Sequence, residues 1–323
     1  VPGLSVPPFE VTPKTLGYIV ELMRLVGRYE GLLSPKPQPK LRRHNQIRTV
    51  LGSLAIEGNT LTMDQATAIL DNKRVIGSKR EILEVENAIG IYARARTFNP
   101  TSVRDLLRAH KSMMQGLIEN AGRFRSSGVG IFQGSRLAHV APPAKRVPIL
   151  VENLLRFARA REPHPLVKSA VVHYELEFIH PFADGNGRMG RLWQHVILAR
   201  WHPVFEYLPV ESIVFAKQNE YYRVLEACDK AGNSTLFIEF SLDTIRESLD
   251  DFLKALRPSP VTPSTRLEIA HSAFGKGAFS RKDYMACFGI LSTATASRDL
   301  KVGVDEKLLI KNGDKALAKY RFR

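Results

Sequence analysis

The sequence predicts a mainly α protein in which a helical core carries one β-hairpin and a small mixed module closes the chain. Three observations lead there. Apolar residues recur at three- and four-residue steps through most of residues 15–256, which is the period of amphipathic helices. One stretch, residues 126–141, breaks that rhythm: Gly128, Gly130 and Gly134 punctuate strand-like apolar residues, the pattern of a hairpin. After Pro258-Ser-Pro-Val-Thr-Pro-Ser, a linker by composition, a short basic segment shows helical stripes and then two strand-like runs.

A Pro-rich arm precedes a helix expected from about Thr15 to Leu33, with Leu16, Ile19, Val20, Met23 and Val26 on its stripe; Ser34-Pro-Lys-Pro-Gln-Pro-Lys ends it. The next helix runs from about Leu41 to Glu57 and stops at Gly58, a suitable residue for a helix end. Ser53 and Glu57 are four apart and share a face. Glu57 is out of place there, because a helix C-terminus prefers cations. Thr62-Met-Asp-Gln65 reads as a capping box opening a helix through Leu70. Further helices are expected over Arg80 to Thr97, after Ser102 with His110 either packed or half exposed, and over Val147 to Ala160. Another is expected over Glu211 to Ala231, with the adjacent Tyr221 and Tyr222, and a closing one over Phe237 to Leu256.

The richest stretch is His180-Pro-Phe-Ala-Asp184-Gly-Asn-Gly-Arg188-Met-Gly-Arg191. An apolar run, Ala170 to Ile179, leads in, and Leu192 to Trp201 leads out with helical spacing, so Gly185, Asn186 and Gly187 sit where a helix begins. Free N–H groups at a helix start, helped by the macrodipole, bind anions. Flanking glycines allow the backbone to form a nest around phosphate oxygens. Arg188 and Arg191 offer guanidinium forks suited to a polyphosphate, and Asp184 is a hard oxygen ligand of the kind Mg²⁺ takes. His180 supplies a base whose ordinary pKa lies near neutrality. Asn-Gly alone is most often a hairpin turn, and a histidine before proline is usually structural; the gathering of all these groups at one helix start points to a phosphate-binding catalytic site.

The segment resembles the signature of Fic-domain proteins, His-Pro-Phe-x-Asp/Glu-Gly-Asn-Gly-Arg-x-x-Arg, at every fixed position, and Ala170-Val-Val-His-Tyr-Glu-Leu-Glu-Phe-Ile is similar to the helix before it. Ser53-Leu-Ala-Ile-Glu57-Gly58 likewise resembles the inhibitory motif found N-terminal to that signature. The resemblance implies a Fic fold with a hairpin flap near residues 126–141, and a protein adenylyltransferase that moves AMP from ATP to a Ser, Thr or Tyr hydroxyl of a target protein. It implies His180 as base, Asp184 as Mg²⁺ ligand, and Gly185, Asn186, Gly187, Arg188, Met189, Gly190 and Arg191 around the phosphates. Tyr221 would lie near the adenine, and Arg136, Leu137, Ala138 and His139 of the flap near nucleotide or target. Ser53 and Glu57 would restrain the enzyme by occupying Arg191; some relatives use this glutamate to remove AMP. Where many relatives have Asn or Ser late in the Tyr-Tyr helix, this chain has Cys228-Asp229. Self-modification and a homodimer are both within the family's range. Transfer of UMP, phosphocholine or phosphate is the alternative on the same site, and the intact Gly-Asn-Gly-Arg pattern favours AMP.

The chain then divides into an N-terminal helical arm (1–40), a Fic core (41–257, its inhibitory helix 41–57) and a C-terminal part (258–323). In the last, Ser280-Arg-Lys-Asp283 and Ser292-Thr-Ala-Thr-Ala-Ser-Arg-Asp-Leu resemble a helix-turn-helix with a wing, with Arg298 and Lys301 placed for a phosphate backbone. The net charge of +15 invites a nucleic-acid partner, but the charges are scattered and no base-reading set is evident. A DNA-binding regulator therefore stays an alternative. No apolar run reaches membrane-spanning length, and the opening lacks the charged start and apolar middle of a signal peptide. Cys228 and Cys287 have no metal or redox spacing. The expectation is a cytoplasmic protein.

Overall fold

The computed structural model describes residues 6–32, 37–133, 136–256, 262–288, 291–313 and 318–323, and the side chains of 131–139 lie outside that description. The chain divides into two units, Val1–Lys254 and Ala255–Arg323. The first holds α1 (Pro13–Glu30), α2 (Pro39–Ile56), α3 (Met63–Leu70), α4 (Lys79–Tyr92) and α5 (Val103–Met113), then the hairpin β1 (Gly130–Gln133) and β2 (Arg136–Val140). It continues through α6 (Val147–Arg159), α7 (Pro165–Ile179), α8 (Asn186–Trp201), α9 (Val210–Ala216), α10 (Gln218–Ala231) and α11 (Thr235–Leu256). Among the described residues no helix is long and apolar enough to cross a membrane.

The centre of this unit is the antiparallel pair α7 and α8, joined by the His180–Gly185 loop. Both helices are buried almost all round: Val171, Val172, Leu192, Trp193 and Val196 are inaccessible to solvent. A helix covered on every side belongs in the middle of a domain, and α8 buries Arg188, Arg191, Gln194 and His195 along with its apolar residues. The amphipathic helices α5 and α6 pack against this pair. The expected start signals work as local chemistry: the Thr62 hydroxyl and Gln65 close the capping box of α3, and the Ser102 hydroxyl accepts from Asp105 N–H at the start of α5.

α2 runs against α9. The two backbones come so close at Gly52 that a β-carbon there would stand 2.6 Å from Glu211 C and Ser212 N. The Ser212 hydroxyl donates to Arg48 O (3.1 Å), fixing α2 along its length. Helix ends differ from expectation by a few residues. Two expectations differ in kind. On α1, Leu16, Val20 and Met23 are exposed while Leu22, Leu25, Val26 and Tyr29 are buried. The expected helix over Glu211 to Ala231 is interrupted at Lys217. The Lys217 ammonium is drawn out to Glu247 (2.6 Å), and the Gln218 amide donates to Ile56 O at the end of α2 (2.9 Å), so tertiary partners override the local helical period.

The hairpin is antiparallel, with Gly130 opposite Val140, Phe132 opposite Leu137 and a bulge between Ile131 and Phe132. Its second strand runs beside α10.

The second unit holds α12 (Pro263–Phe274), β3 (Phe279–Ser280), α13 (Arg281–Ala286), α14 (Thr293–Asp305), β4 (Leu309–Asn312) and β5 (Lys319–Phe322). Its sheet has the order β3-β5-β4, antiparallel throughout. The two-residue β3 carries no sequence signal of its own and exists because β5 pairs with it. Leu267, Phe279, Tyr284, Leu300, Leu309 and Phe322 form a core of their own. The Arg266 guanidinium grips buried Asp299 at 2.5 and 2.8 Å, and the Tyr284 hydroxyl donates to the same carboxylate (3.3 Å). Arg298 and Lys301 are exposed on α14.

Candidate active site

The loop between α7 and α8 is built from inside. His180 caps α7 in the left-handed region (φ 50, ψ 58), which turns the chain out of the helix. Arg125, only 4% exposed, holds that turn: its guanidinium donates to the carbonyls of His180 (2.7 Å), Ser127 (2.7 Å), Pro142 (2.5 Å) and Ile179 (3.3 Å). One buried arginine thus ties the histidine's backbone to both stems of the hairpin. Phe182 is fully buried and stacks on His110, centroids 3.7 Å apart. His110 Nδ1 accepts from Gly122 N–H (2.9 Å), so Nε2 carries the proton and donates to Asp184 O (3.0 Å). Burial pushes His110 down to about 4, which keeps the ring neutral in this role.

Asn186 turns its amide inward. Its Oδ1 accepts from Phe182 N–H and its Nδ2 donates to Phe182 O, both at 2.9 Å. The side chain expected near phosphate is therefore the clasp that closes the loop, leaving backbone N–H groups to face a ligand. Gly185 adopts φ 83 as the N-cap of α8, and Asn186 to Arg188 follow in the first turn, where N–H groups have no intrahelical acceptor.

Asp184 stands at the rim, its side chain 41% exposed, with Oδ1 accepting from Gly185 N–H (2.6 Å) and Arg188 Nη2 (3.1 Å). Arg80 reaches its other oxygen at 3.5 Å. Arg188 also pairs with Glu84 on α4 (3.4 Å), while its Nε is buried without a partner. Met189 is fully buried, and Gly190 packs so closely on His173 that a β-carbon would lie 2.7 Å from the ring. Both shape the floor under the helix start.

Arg191 is 2% exposed and fully engaged by α2: Nε donates to Ser53 Oγ (3.1 Å), Nη2 to Ser53 O (3.0 Å) and to Glu57 Oε1 (2.6 Å). Glu57 follows the last residue of α2 as its C-cap, and its carboxylate lies over the first turn of α8. A β-carbon on Gly187 would sit 2.5 Å from that same Oε1. The oxygen therefore occupies the ground above the helix N-terminus, where an anion binds.

Tyr221, expected beside an adenine, is 1% exposed instead, its hydroxyl within 3.2 Å of both Glu177 Oε1 and His173 Nε2. The rim tyrosine is Tyr222, half-buried, which donates to Ile56 O (3.3 Å). Asp229 accepts from the Tyr174 hydroxyl (2.8 Å) on α7. Burial, only partly offset by Arg191, pushes Glu177 up to about 7, and burial pushes His173 down to about 3. Arg136, Leu137, Ala138 and His139 lie on β2; their backbone pairing is as given above, and their side chains lie outside the described ones.

Glu84, Arg80, Arg125, His110 and Glu177 are the members that sequence reasoning did not assign to the site. Only Glu177 had a signal, as a carboxylate in the last turn of α7 three residues before His180.

Residues 100–198 match the Fic/DOC family. The chain is similar to a protein adenylyltransferase Fic of Nematostella vectensis, 27% identical over 237 residues covering 70% of this chain and 53% of the relative. A protein of the same name from Aedes aegypti is 30% identical over 65% of this chain and 42% of its own. The chain thus spans about half the length of the curated relatives it matches. Among solved structures, a Fic family protein from Desulfovibrio desulfuricans is 40% identical with TM-score 0.76, covering 98% of both chains. Fic-1 of C. elegans shares the fold at 23% identity, TM-score 0.62, over 75% of this chain and 73% of its own.

Proposed function

We propose that this chain, which belongs to the Fic family, is an autoinhibited protein adenylyltransferase that moves AMP from ATP to a Ser, Thr or Tyr hydroxyl of a target protein. The observation that carries the reading is Glu57 Oε1, 2.6 Å from Arg191 and directly over Gly187. A carboxylate there stands where a terminal phosphate of ATP would be held, and it excludes that phosphate by charge as well as by occupancy. The names of the curated relatives support AMP as the transferred group.

In the released state His180 takes the proton of the target hydroxyl. The oxygen attacks the α-phosphorus, the bond to the bridging oxygen of the β-phosphate breaks, and pyrophosphate leaves. The first-turn N–H groups of α8 and Arg188 steady charge on the phosphoryl oxygens, and Arg191, once free of Glu57, holds the terminal phosphate. Asp184 is the residue that would hold Mg²⁺. A single, partly exposed carboxylate fits an ion that keeps several waters and takes its other ligands from phosphate, and among the described residues no cluster of three or more metal-binding side chains exists. When bound there, Mg²⁺ offsets phosphate charge. As an edge strand of a two-stranded sheet, β2 suits a target segment added by main-chain pairing, which fixes the hydroxyl's position with little demand on neighbouring side chains. The element order of the second unit supports a winged-helix-like reading of residues 255–323.

ATP labelled at the α-phosphate, incubated with the chain and with lysate proteins, tests the transfer. Label is expected on protein, and His180→Ala is expected to reduce it by about a hundred-fold or more. Label arriving from the γ-phosphate instead would replace AMP transfer by kinase chemistry.

A further inference from the structure

The residues of α2 that hold Arg191 are the end of a longer stripe. Arg42, Gln46, Thr49, Ser53 and Glu57 follow one another at three- and four-residue steps and share one face of the helix. On α8, Arg191 and His195 are likewise four apart. The two faces meet where Ser53 and Glu57 take Arg191. Toward the other end of α2 they part around a cavity of ≈ 370 Å³, lined by Arg42, Gln46 and Thr49 from α2, His195 from α8, and Tyr92 and Glu206. That is the size of small-molecule sites, about 300–1,000 Å³.

Three polar side chains around this cavity, Arg42, Thr49 and His195, are unspent. Thr49 is 5% and His195 8% exposed, and neither makes a hydrogen bond among the described residues. His195 touches Tyr92 only edge-on, at 5.4 Å. Burial pushes it down to about 4, so it is a neutral ring with one donor and one acceptor to offer. Neither has a hydrogen-bonding partner among the described residues and both line the void, so a ligand there meets two free polar groups. Arg42, at the mouth, makes no ion pair among the described residues, whereas the acid on the opposite side, Glu206, is paired with Arg96 (3.4 Å). The uncompensated charge is therefore positive.

We propose that this cavity is an effector site for a small organic anion, bearing a carboxylate or phosphate group, that is held by Arg42 and Gln46 at the mouth and by Thr49 and His195 within. Such a molecule bridges α2 to α8. It binds the state in which α2 is docked on Arg191 better than the state in which α2 has moved away, so it strengthens the restraint. That consequence rests on the inhibitory reading of Glu57; the binding itself does not.

Calorimetry on the full chain with citrate, ribose 5-phosphate and inorganic phosphate tests the site. At least one of the two organic probes is expected to bind, and which one does so identifies the anionic group. Arg42→Glu is expected to weaken that binding about ten-fold or more, and Thr49→Val, which keeps the shape, several-fold. No binding of either organic probe, or binding unchanged in Arg42→Glu, overturns the proposal. The same probe is expected to slow self-adenylylation of the wild type and to leave Glu57→Gly unaffected. Binding that leaves the wild-type rate unchanged overturns the coupling. Should Glu57→Gly itself be no faster than the wild type, the inhibitory reading fails while the binding result stands.

Discussion

Arg188 and Arg191 stand three residues apart on one helix, at 3% and 2% exposure, yet different parts of the chain hold them. Arg188 is paired with Asp184 in its own loop and with Glu84 on α4, so its partners belong to the frame of the site. Arg191 is held by Ser53 and Glu57 at the very end of α2, and its ion-pair partner is a residue already outside the helix. Both arginines need compensation for the cost of burying a charge. One obtains it from its own loop and from α4, the other from the last turn and C-cap of α2. On the proposed reading, Arg188 is a built-in part of a phosphate site and Arg191 a part that Glu57 withholds.

Glu57→Gly against Glu84→Gln is the sharpest way to break this comparison. A charge-assisted hydrogen bond of the Glu57–Arg191 kind is worth about 1.5–3 kcal/mol, so its loss is expected to raise adenylylation about ten- to a hundred-fold. Glu84→Gln removes one of the other arginine's two charge partners but frees no phosphate ground. It is expected to lower activity and to cost about 1 kcal/mol in chemical denaturation. Equal activation by the two variants, read from initial rates with α-labelled ATP, would erase the distinction between them.

What could be read beforehand follows the same division. The signature loop was legible because its chemistry is contiguous: a helix start, two arginines and an acid within twelve residues. Ser53 and Glu57 were legible because one helical period sets them on one face. The mainly α class was legible from the same period. The supports were not. Glu84 meets Arg188 across 104 residues and Arg125 meets His180 across 55, and no local pattern chooses such partners. Tyr221 and Tyr222 show the limit most plainly. Adjacent helical residues face different ways, and which one enters the core depends on His173 and Glu177 on α7, not on α10. The break at Lys217 has the same origin, in partners on α2 and α11.

Arg125 sharpens the comparison from the other side, since it belongs to the frame without touching either arginine. Arg125→Ala leaves the carbonyls of His180, Ser127 and Pro142 without their donor, at a cost of about 2–3 kcal/mol in folding stability. The left-handed turn at His180 then loses its anchor. Placed in the Glu57→Gly background, the change is expected to lower kcat about ten-fold while the KM for ATP holds, because the base is misplaced and the phosphate ground is intact. A rise in KM with unchanged kcat would instead assign Arg125 to nucleotide binding.

The acid on the far side of Arg191 tests the comparison through pH. Glu211, 4% exposed at the start of α9, accepts from the Tyr92 hydroxyl at 3.2 Å, while its Oε2 has no partner. It shares a cavity of ≈ 20 Å³ with Arg191, His173 and His195, room for about one water. Burial pushes its carboxyl up to about 7 from 4.5, outweighing the opposing pull of Tyr92 and Arg191. Between those values the folded chain keeps a proton that the unfolded chain has lost, so this group's contribution to stability falls as pH rises through the window. Glutamine keeps the hydrogen bond and cannot ionise. Relative to the wild type, Glu211→Gln is therefore expected to gain on the order of 2 kcal/mol between pH 5 and pH 8, measured as the gap between urea midpoints. A gap that stays constant across that range would mean Glu211 is already ionised at the lower pH. It would then be a standing counter-charge to Arg191, and the release of Glu57 would leave that arginine half-compensated from below.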